Sequence, residues 1–231
     1  MQAKLAQYTL FENDSIQSVT LLETQGYCNE NYLVVAEQKK YIARKFLRTD
    51  IDRKFEYKVQ GLAFKEGITA EAIIYDEANG FMLFEFVEGE HKTLLDKDDL
   101  KHLAYTLQKL HNIKLDSKPI KIHIEKKTDD IVKAFETIEK YKKEYVLCHN
   151  DLNPQNILWS KDVKFIDWEY AGMNDRYFDL ACVCVEFGLE DEMREIFLHV
   201  YFDDVSFVKE KLEAYIVVYR VLCEEWFSSS V

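Results

Sequence analysis

A short polar segment with three spaced carboxylate and amide residues constrains this chain more than any other feature. Asp151 lies at the start of the segment, Asn156 lies five positions later, and Asp167 follows eleven positions after that. Apolar runs at 145–148 and 163–166 flank the segment, so Asp167 ends a short predicted strand. A polar turn before a hairpin explains any one of these residues, but it does not explain the ordered set.

These residue types suit phosphoryl transfer. That reaction needs a group that accepts the hydrogen of the substrate hydroxyl, and a divalent metal that neutralises charge on the phosphates. Asp151 suits the first task. Asn156 and Asp167 suit the second, because Mg²⁺ prefers hard oxygen ligands. The spacing is that of a kinase catalytic loop followed by its metal-binding carboxylate, so we predict Asp151 as catalytic and the other two as metal ligands.

The run His149–Leu158, followed by Ile166–Ala171, resembles the choline/ethanolamine kinase branch of the aminoglycoside phosphotransferase-like kinases, which includes bacterial choline kinases. Protein kinases fit less well, because His-Asn-Asp stands in place of His-Arg-Asp and Asp167-Trp168-Glu169 in place of Asp-Phe-Gly. The resemblance extends from about Leu22 to Glu186. It implies an α+β, two-lobed, protein-kinase-like fold.

The resemblance and the hydrophobic pattern together predict two domains. Residues 1–86 form an N-lobe, a small antiparallel sheet with one helix that covers the nucleotide. Residues 87–231 form a mainly helical C-lobe with the catalytic loop, the metal site and the acceptor pocket. The pattern predicts strands over 19–24, 32–37, 40–47, 73–75 and 81–86, and helices over 52–65, 100–111, 128–141, 191–200 and 205–226.

A glycine-containing turn between the first two predicted strands is a candidate phosphate-covering element. It is similar to the Gly-Gly-x-x-Asn turn of choline kinases, with Gln25 in place of the first glycine. The resemblance implies nucleotide contacts from Gly26 and Asn29. The alternative is an ordinary hairpin turn.

The strand at 41–46 carries the candidate phosphate-contacting cation. The family register favours Arg44, whereas the Ala-x-Lys spacing of protein kinases favours Lys45. Successive side chains of a strand point to opposite faces of the sheet, so only one of the two can face the nucleotide. We favour Arg44, with Glu56 of the following helix as its ion-pair partner. A solvated acidic residue that pairs with a nearby lysine is the alternative for Glu56. The family also implies that backbone groups around Glu85 and Val87 hold adenine.

The acceptor pocket is inferred from the region after Asp167. In choline kinases an Asp-x₆-Glu spacing leads to the amine site, and Asp179 to Glu186 reproduces it. Aromatic faces and carboxylates hold an ammonium group. We predict substrate contacts from Glu169, Glu186, Tyr219 and Trp226, and structural support of the catalytic loop from His149 and Asp179. Helix core is the alternative for the two aromatic residues.

Composition narrows the partners. The formal net charge of −12 disfavours nucleic acid and anionic membranes. The first residues lack a secretory apolar core, and no apolar stretch approaches the roughly 18 residues of a membrane span. Five cysteines show no paired metal-ligand spacing. The expectation is a cytoplasmic protein without membrane insertion.

The sequence therefore predicts an ATP- and Mg²⁺-dependent kinase of a small amino alcohol, with choline favoured over ethanolamine. One alternative is another kinase of the same superfamily, acting on an aminoglycoside, a sugar or thiamine. Another is a nucleotide-binding pseudoenzyme, because the glycine turn is weakened. The segment after Asp167 is short for this family. Either the C-terminal tail is incomplete or the acceptor pocket is unusually open. The oligomeric state and the exact acceptor stay open.

Overall fold

Strands dominate the first third of the chain and helices dominate the rest. The structure, a computed structural model, describes residues 1–23 and 28–229. The chain forms two units, Met1–Glu88 and Gly89–Val231. Among the described residues, no helix is both long and apolar enough to cross a lipid bilayer.

The N-terminal unit is an antiparallel sheet with one long helix. The sheet order is β1-β2-β3-β5-β4, and each neighbouring pair is antiparallel. The elements are α1 (Gln2–Leu5), β1 (Ile16–Leu21), β2 (Asn29–Ala36), β3 (Lys40–Phe46), α2 (Arg53–Lys65), β4 (Ala72–Asp76) and β5 (Phe81–Glu85). Strands β1 and β2 each begin three residues before their predicted starts. The predicted nucleotide contact Gly26 lies outside the described residues.

Alternation along β3 gives the sheet two different faces. Tyr41 and Ala43 point into an apolar cluster with Phe81 and Leu83 of β5. Arg44 therefore lies on the opposite face, because successive strand side chains point to opposite sides. Helix α2 begins at an Asp52 cap, whose carboxylate accepts a hydrogen bond from the Phe55 amide at 2.9 Å.

The C-terminal unit combines five helices with two short hairpin-like strand pairs. Strand β6 pairs with β9, and β7 pairs with β8, both antiparallel. The elements are α3 (Lys97–Asn112), α4 (Asp129–Glu139), β6 (Tyr145–Cys148), β7 (Ile157–Trp159), β8 (Val163–Phe165), β9 (Gly172–Asp175), α5 (Arg176–Glu186), α6 (Asp191–Tyr201) and α7 (Lys209–Ser229). Helix α3 begins with a capping box between Asp96 and Asp99.

Helix α5 is the centre of this unit. Every residue from Tyr177 to Cys184 is buried, and the helix packs against α7 and β6. Its N-cap is Asp175, which accepts a hydrogen bond from the Tyr177 amide at 3.2 Å. The sequence patterns did not predict this helix, because its apolar run at 180–185 is as typical of a buried strand as of a helix.

Lys211 of α7 is buried in this unit. Its Nζ lies 2.8 Å from Asp175 Oδ2 and 3.2 Å from Glu144 Oε2, and it donates a hydrogen bond to the Lys142 carbonyl. The ammonium also lies over the Tyr177 ring, 4.4 Å from its centroid. A buried charge is tolerated when it is paired and hydrogen-bonded, and Lys211 has both kinds of partner.

Candidate functional site

The polar segment after β6 forms a tight loop whose shape follows from its own asparagines. Asn150 has a φ of 66°, in the left-handed region that asparagine tolerates better than most residues. The Asn150 amide donates to the Tyr170 carbonyl at 2.9 Å. Asn153 then caps a single 3₁₀ turn by accepting a hydrogen bond from the Gln155 amide at 2.9 Å, with Pro154 at the first position of the turn. The turn leads directly into β7.

Asp179 of α5 holds the backbone of this loop. Its Oδ2 accepts a hydrogen bond from the His149 N–H, and its Oδ1 accepts one from the Asn150 N–H, both at 2.8 Å. The side chain of Asp179 is fully buried. His111 Nε2 lies 3.1 Å from the same Oδ2, and Tyr201 lies 2.5 Å from the other ring nitrogen of His111. The loop is thus fixed immediately before Asp151.

Both carboxylate oxygens of Asp151 accept side-chain hydrogen bonds. Asn153 donates to Oδ1 at 3.0 Å, and Asn156 donates to Oδ2 at 2.7 Å. Burial raises the pKa of Asp151, and the negative charge of Asp167 raises it as well, whereas the two amides lower it. The result is an oriented carboxylate that is more basic than an ordinary aspartate.

Asn156 and Asp167 lie at the adjoining ends of the β7–β8 hairpin. Strand pairing matches Ile157 with Phe165, and the Ile166 N–H donates to the Asn156 carbonyl at 2.9 Å. Because Asn156 Nδ2 donates to Asp151, its Oδ1 is the side-chain atom that suits a metal. Asp167 follows the strand with a φ of 66°. One amide oxygen and one carboxylate form a hard-oxygen donor set that fits Mg²⁺.

His149 links the loop to the segment that carries Asp167. Its Nε2–H donates to the Ile166 carbonyl at 3.0 Å. The ring is fully buried against Phe165 and Trp168, with centroid distances of 5.9 and 4.8 Å. Within the described part of the chain, His149 Nδ1 has no hydrogen-bond partner. The geometry gives His149 a supporting position, and the base role of Asp151 stays a prediction.

In the N-terminal unit, Glu56 pairs with Arg44. Arg44 Nη1 lies 3.1 Å from Glu56 Oε1, and both side chains are buried. Lys45 pairs instead with Glu30, at 2.8 Å and in a more exposed position. The structure thus separates the two candidate cations onto different partners, and contact with phosphate stays a prediction for Arg44.

The other predicted nucleotide residues occupy the ends of strands. Asn29 opens β2 and is buried, with its Oδ1 accepting a hydrogen bond from Arg53 at 2.8 Å. Glu85 ends β5, donates its N–H to the Glu71 carbonyl at 2.9 Å, and lies 3.5 Å from Lys39 Nζ. Val87 lies two residues further on. An adenine-holding role for Glu85 and Val87 stays a prediction.

Two of the four predicted acceptor residues are in contact. The Tyr219 hydroxyl donates to Glu186 Oε1 at 2.8 Å. Burial raises the pKa of Glu186, and the negative charge of Asp151 raises it further, whereas the hydrogen bond from Tyr219 lowers it. Trp226 lies two turns further along α7, about 10 Å along the axis, and packs against Phe227. Glu169 is half-buried beside Trp168.

Sequence reasoning missed three residues of this machinery. Asn153 orients Asp151, His111 contacts Asp179, and Arg53 contacts Glu56. The Asn-Pro pair at 153–154 was a usable turn signal. Arg53 and Glu56 are three positions apart in a predicted helix, which was a usable signal of their contact. His111 gave no local signal of its partner, because its contact with Asp179 depends on the packed structure.

The chain is similar in sequence to known proteins. Residues 121–215 match the model of the Phosphotransferase enzyme family. Protein LicA of Haemophilus influenzae is 26% identical over 213 residues, which cover 80% of this chain and 63% of that protein. The chain thus spans less than two thirds of the length of the first curated relatives that it matches.

Solved structures show the same fold. Choline kinase LicA from Streptococcus pneumoniae superimposes with a TM-score of 0.81 at 22% identity, covering 97% of this chain and 89% of that one. A structure of LicA in complex with AMP gives a TM-score of 0.75 at 22% identity, covering 99% and 88%.

These likenesses confirm the predicted fold class, an α+β fold of the protein-kinase-like type. They also confirm the resemblance drawn from the catalytic loop, to the choline/ethanolamine kinase branch of the aminoglycoside phosphotransferase-like superfamily.

Proposed function

We propose that this protein is an ATP-dependent kinase that phosphorylates the hydroxyl group of a small amino alcohol, choline in preference to ethanolamine. The observation that carries the proposal is the position of Asp151. Its two carboxylate oxygens are held by Asn153 and Asn156, and its pKa responds to the charge of Asp167. The names of the LicA relatives support the choice of acceptor.

In the proposed reaction, Asp151 accepts the hydrogen of the acceptor hydroxyl while that oxygen forms a bond to the γ-phosphorus of ATP. The bond between the γ-phosphorus and the leaving oxygen breaks, and ADP leaves. A raised pKa makes Asp151 a stronger hydrogen acceptor, provided that it is ionised at the working pH. The amides of Asn153 and Asn156 keep the carboxylate in one orientation.

Asn156 Oδ1 and the Asp167 carboxylate are the proposed protein ligands of Mg²⁺. The bound ion would neutralise the phosphate charge that develops during transfer. The hairpin register brings both residues to the same end of β7 and β8. In the N-terminal unit, Arg44 is the proposed contact for a nucleotide phosphate, and Glu56 orients it.

Glu186 and Tyr219 are the proposed recognition elements for the acceptor's cationic nitrogen. A carboxylate in a partly desolvated position attracts an ammonium group more strongly than one in water. An aromatic ring adds cation–π attraction, and Trp226 is the proposed source of a further ring. This pairing supports a cationic acceptor over a neutral sugar.

The test compares acceptors that differ in charge. ADP formation is measured with choline, with ethanolamine, and with the neutral isostere of choline in which a tert-butyl group replaces the trimethylammonium group. We expect choline to give the highest kcat/KM and the neutral isostere far less. Asp151→Asn should bind ATP like the wild type and lower turnover by about 10²–10⁴-fold. Near-normal turnover in that variant would remove the proposed base.

Glu186→Gln tests the recognition of charge. We expect a raised KM for choline, an unchanged KM for ATP, and unchanged kinetics with the neutral isostere. Glu190→Gln is the matched control, because Glu190 is exposed just before α6 and its side chain caps no amide. Equal rates on charged and neutral acceptors would favour a sugar kinase. ATP binding without turnover on any acceptor would favour a pseudoenzyme.

A further inference from the structure

Glu56 is bound by two arginines, each through a different carboxylate oxygen. Arg44 Nη1 lies 3.1 Å from Oε1, and Arg53 Nη1 lies 2.7 Å from Oε2. The exposed fractions of the three side chains are 8% for Arg44, 6% for Arg53 and 1% for Glu56. This is a desolvated cluster, in which hydrogen bonds between charged groups are strong and directional.

The second strand of the sheet holds both guanidinium groups. Asn31 Oδ1 accepts a hydrogen bond from Arg44 Nε at 3.2 Å, and Asn29 Oδ1 accepts one from Arg53 Nη2 at 2.8 Å. Asn29 and Asn31 are two residues apart in β2, so they lie on the same face of the strand. The two arginines are therefore held side by side, with Glu56 between them.

Aromatic rings fix the planes of the guanidinium groups. Arg44 lies over the Phe84 ring at 5.3 Å, and Arg53 lies over the Phe46 ring at 4.6 Å. Carboxylate, amide and ring contacts together restrict each arginine to one orientation. Such a geometry is specific to arginine, because lysine lacks the planar fork.

Arg53 changes what Glu56 can do to Arg44. An arginine and a carboxylate favour a bidentate pair that uses both oxygens. Because Arg53 occupies Oε2, Glu56 cannot turn both oxygens toward Arg44. The three side chains together carry one positive charge, whereas Arg44 and Glu56 alone would form a neutral pair.

We propose that Arg53 is a positioning residue for the nucleotide phosphates, acting through Glu56 on Arg44. The inference rests on the proposed function, because it takes Arg44 as the phosphate contact. Without Arg53, Glu56 Oε2 loses the guanidinium contact that holds it, so the carboxylate can rotate, and the Arg44 guanidinium bound to Oε1 turns with it. A purely structural role would instead affect the whole unit and would not distinguish a ligand with phosphates from one without them.

The test measures the Kd of ATP and of adenosine by calorimetry for the wild type and for Arg53→Met. For Arg53→Met we expect the Kd of ATP to rise about tenfold and the Kd of adenosine to stay unchanged. A tenfold change lies within the range of interaction free energies between residues of one hydrogen-bonded network. Arg53→Lys, which keeps the charge and loses the fork, should give a smaller rise for ATP. Arg48→Met is the matched control, because Arg48 is an exposed arginine paired with Asp50, and it should leave both values unchanged.

A double variant tests the route through Glu56. In a Glu56→Gln background, Arg53→Met should add no further loss of ATP affinity. Additive losses would overturn the inference, as would an unchanged ATP Kd in Arg53→Met or an equal loss for ATP and adenosine. If Arg53→Met does not fold, the Kd values of ATP and adenosine for Arg53→Lys provide the test. An unchanged Kd of ATP in Arg53→Lys would overturn the inference. A wild-type protein that binds no ATP would remove the proposed function, and the inference with it.

Discussion

Two buried carboxylates, Asp179 and Glu56, each hold a segment that the proposed chemistry uses, but they bind different kinds of donor. Asp179 accepts hydrogen bonds from the backbone N–H groups of His149 and Asn150. Glu56 contacts the side chains of Arg44 and Arg53. The first carboxylate fixes a piece of main chain, whereas the second fixes two long side chains.

The difference determines how each arrangement fails. Loss of Asp179 leaves buried backbone N–H groups without an acceptor. These groups belong to the main chain, so they cannot reach water unless the loop itself moves. Loss of the Glu56 charge leaves flexible side chains that can adopt other rotamers. The comparison therefore predicts a large loss of stability and turnover in one unit, and a milder, ligand-specific loss in the other.

The largest effect is expected for Asp179→Ala. The substitution leaves two backbone N–H groups and the His111 ring without their acceptor, and each unpaired buried donor costs about 1–3 kcal/mol. We expect the free energy of unfolding to fall by about 3–5 kcal/mol, and turnover to fall by orders of magnitude as the loop moves. Urea denaturation measures the first and ADP formation the second.

The matched control for that variant is Asp191→Ala. Asp191 is exposed in the first turn of α6, where a carboxylate contributes less than about 1 kcal/mol through the helix dipole. A loss from Asp179→Ala as small as the control's would contradict the bracing role of Asp179.

Glu56→Gln should have the next largest effect. The amide keeps the shape of the side chain but removes the charge that both guanidinium groups share. We expect the KM for ATP to rise about tenfold while the KM for choline stays unchanged. Steady-state kinetics with each substrate varied in turn provide the measurement. A raised choline KM with a normal ATP KM would assign Glu56 to the acceptor.

A third carboxylate, Asp151, extends the comparison, because side-chain amides hold it. Its pKa is raised above the ordinary aspartate value of 3.8, mainly by burial. The base must be ionised, so kcat/KM should fall as the pH drops through that raised pKa. Asn153→Ala removes a donor that lowers the pKa and should move the acid limb to higher pH. Gln155→Ala, a change at an exposed neighbouring residue, should leave the acid limb of the kcat/KM profile in place. A shift of that limb to lower pH in Asn153→Ala would refute the assignment of the limb to Asp151.

The smallest effect is expected for Lys45→Met. Lys45 is partly exposed and pairs with Glu30, on the face of β3 opposite to Arg44. The KM for ATP should therefore match the wild type. A rise as large as that of Glu56→Gln would transfer the phosphate contact from Arg44 to Lys45.

The proximity of the three residues in the polar loop was predictable because they are close in sequence. Asp151, Asn156 and Asp167 lie within one loop and hairpin, and their shared chemistry stays a prediction. The strands of the N-terminal unit were also predictable, since short runs of β-forming residues separated by polar turns indicate strands. Boundaries were less accurate: β2 begins at Asn29, where polar residues give no strand signal.

Helix α5 and the contact of Arg53 with Asn29 were not predictable in the same way. The apolar run at 180–185 suits a buried strand as well as a helix. Arg53 has an ordinary position for a surface residue at the start of a helix, and its contact with Asn29, 24 residues earlier, depends on the packed structure. Tyr219 was predicted as a residue of the substrate pocket. Its hydrogen bond to Glu186 was not predicted, because it joins two helices that no local sequence pattern relates.

The buried ammonium of Lys211 has a consequence for biosynthesis. Asp175 is made before Lys211, and until α7 is translated its carboxylate has no ammonium to pair with. Translation proceeds at roughly 5–20 residues per second, so this acid stays unmatched for a few seconds on the ribosome. The C-terminal unit therefore completes this buried ion pair only after α7 has emerged from the ribosome.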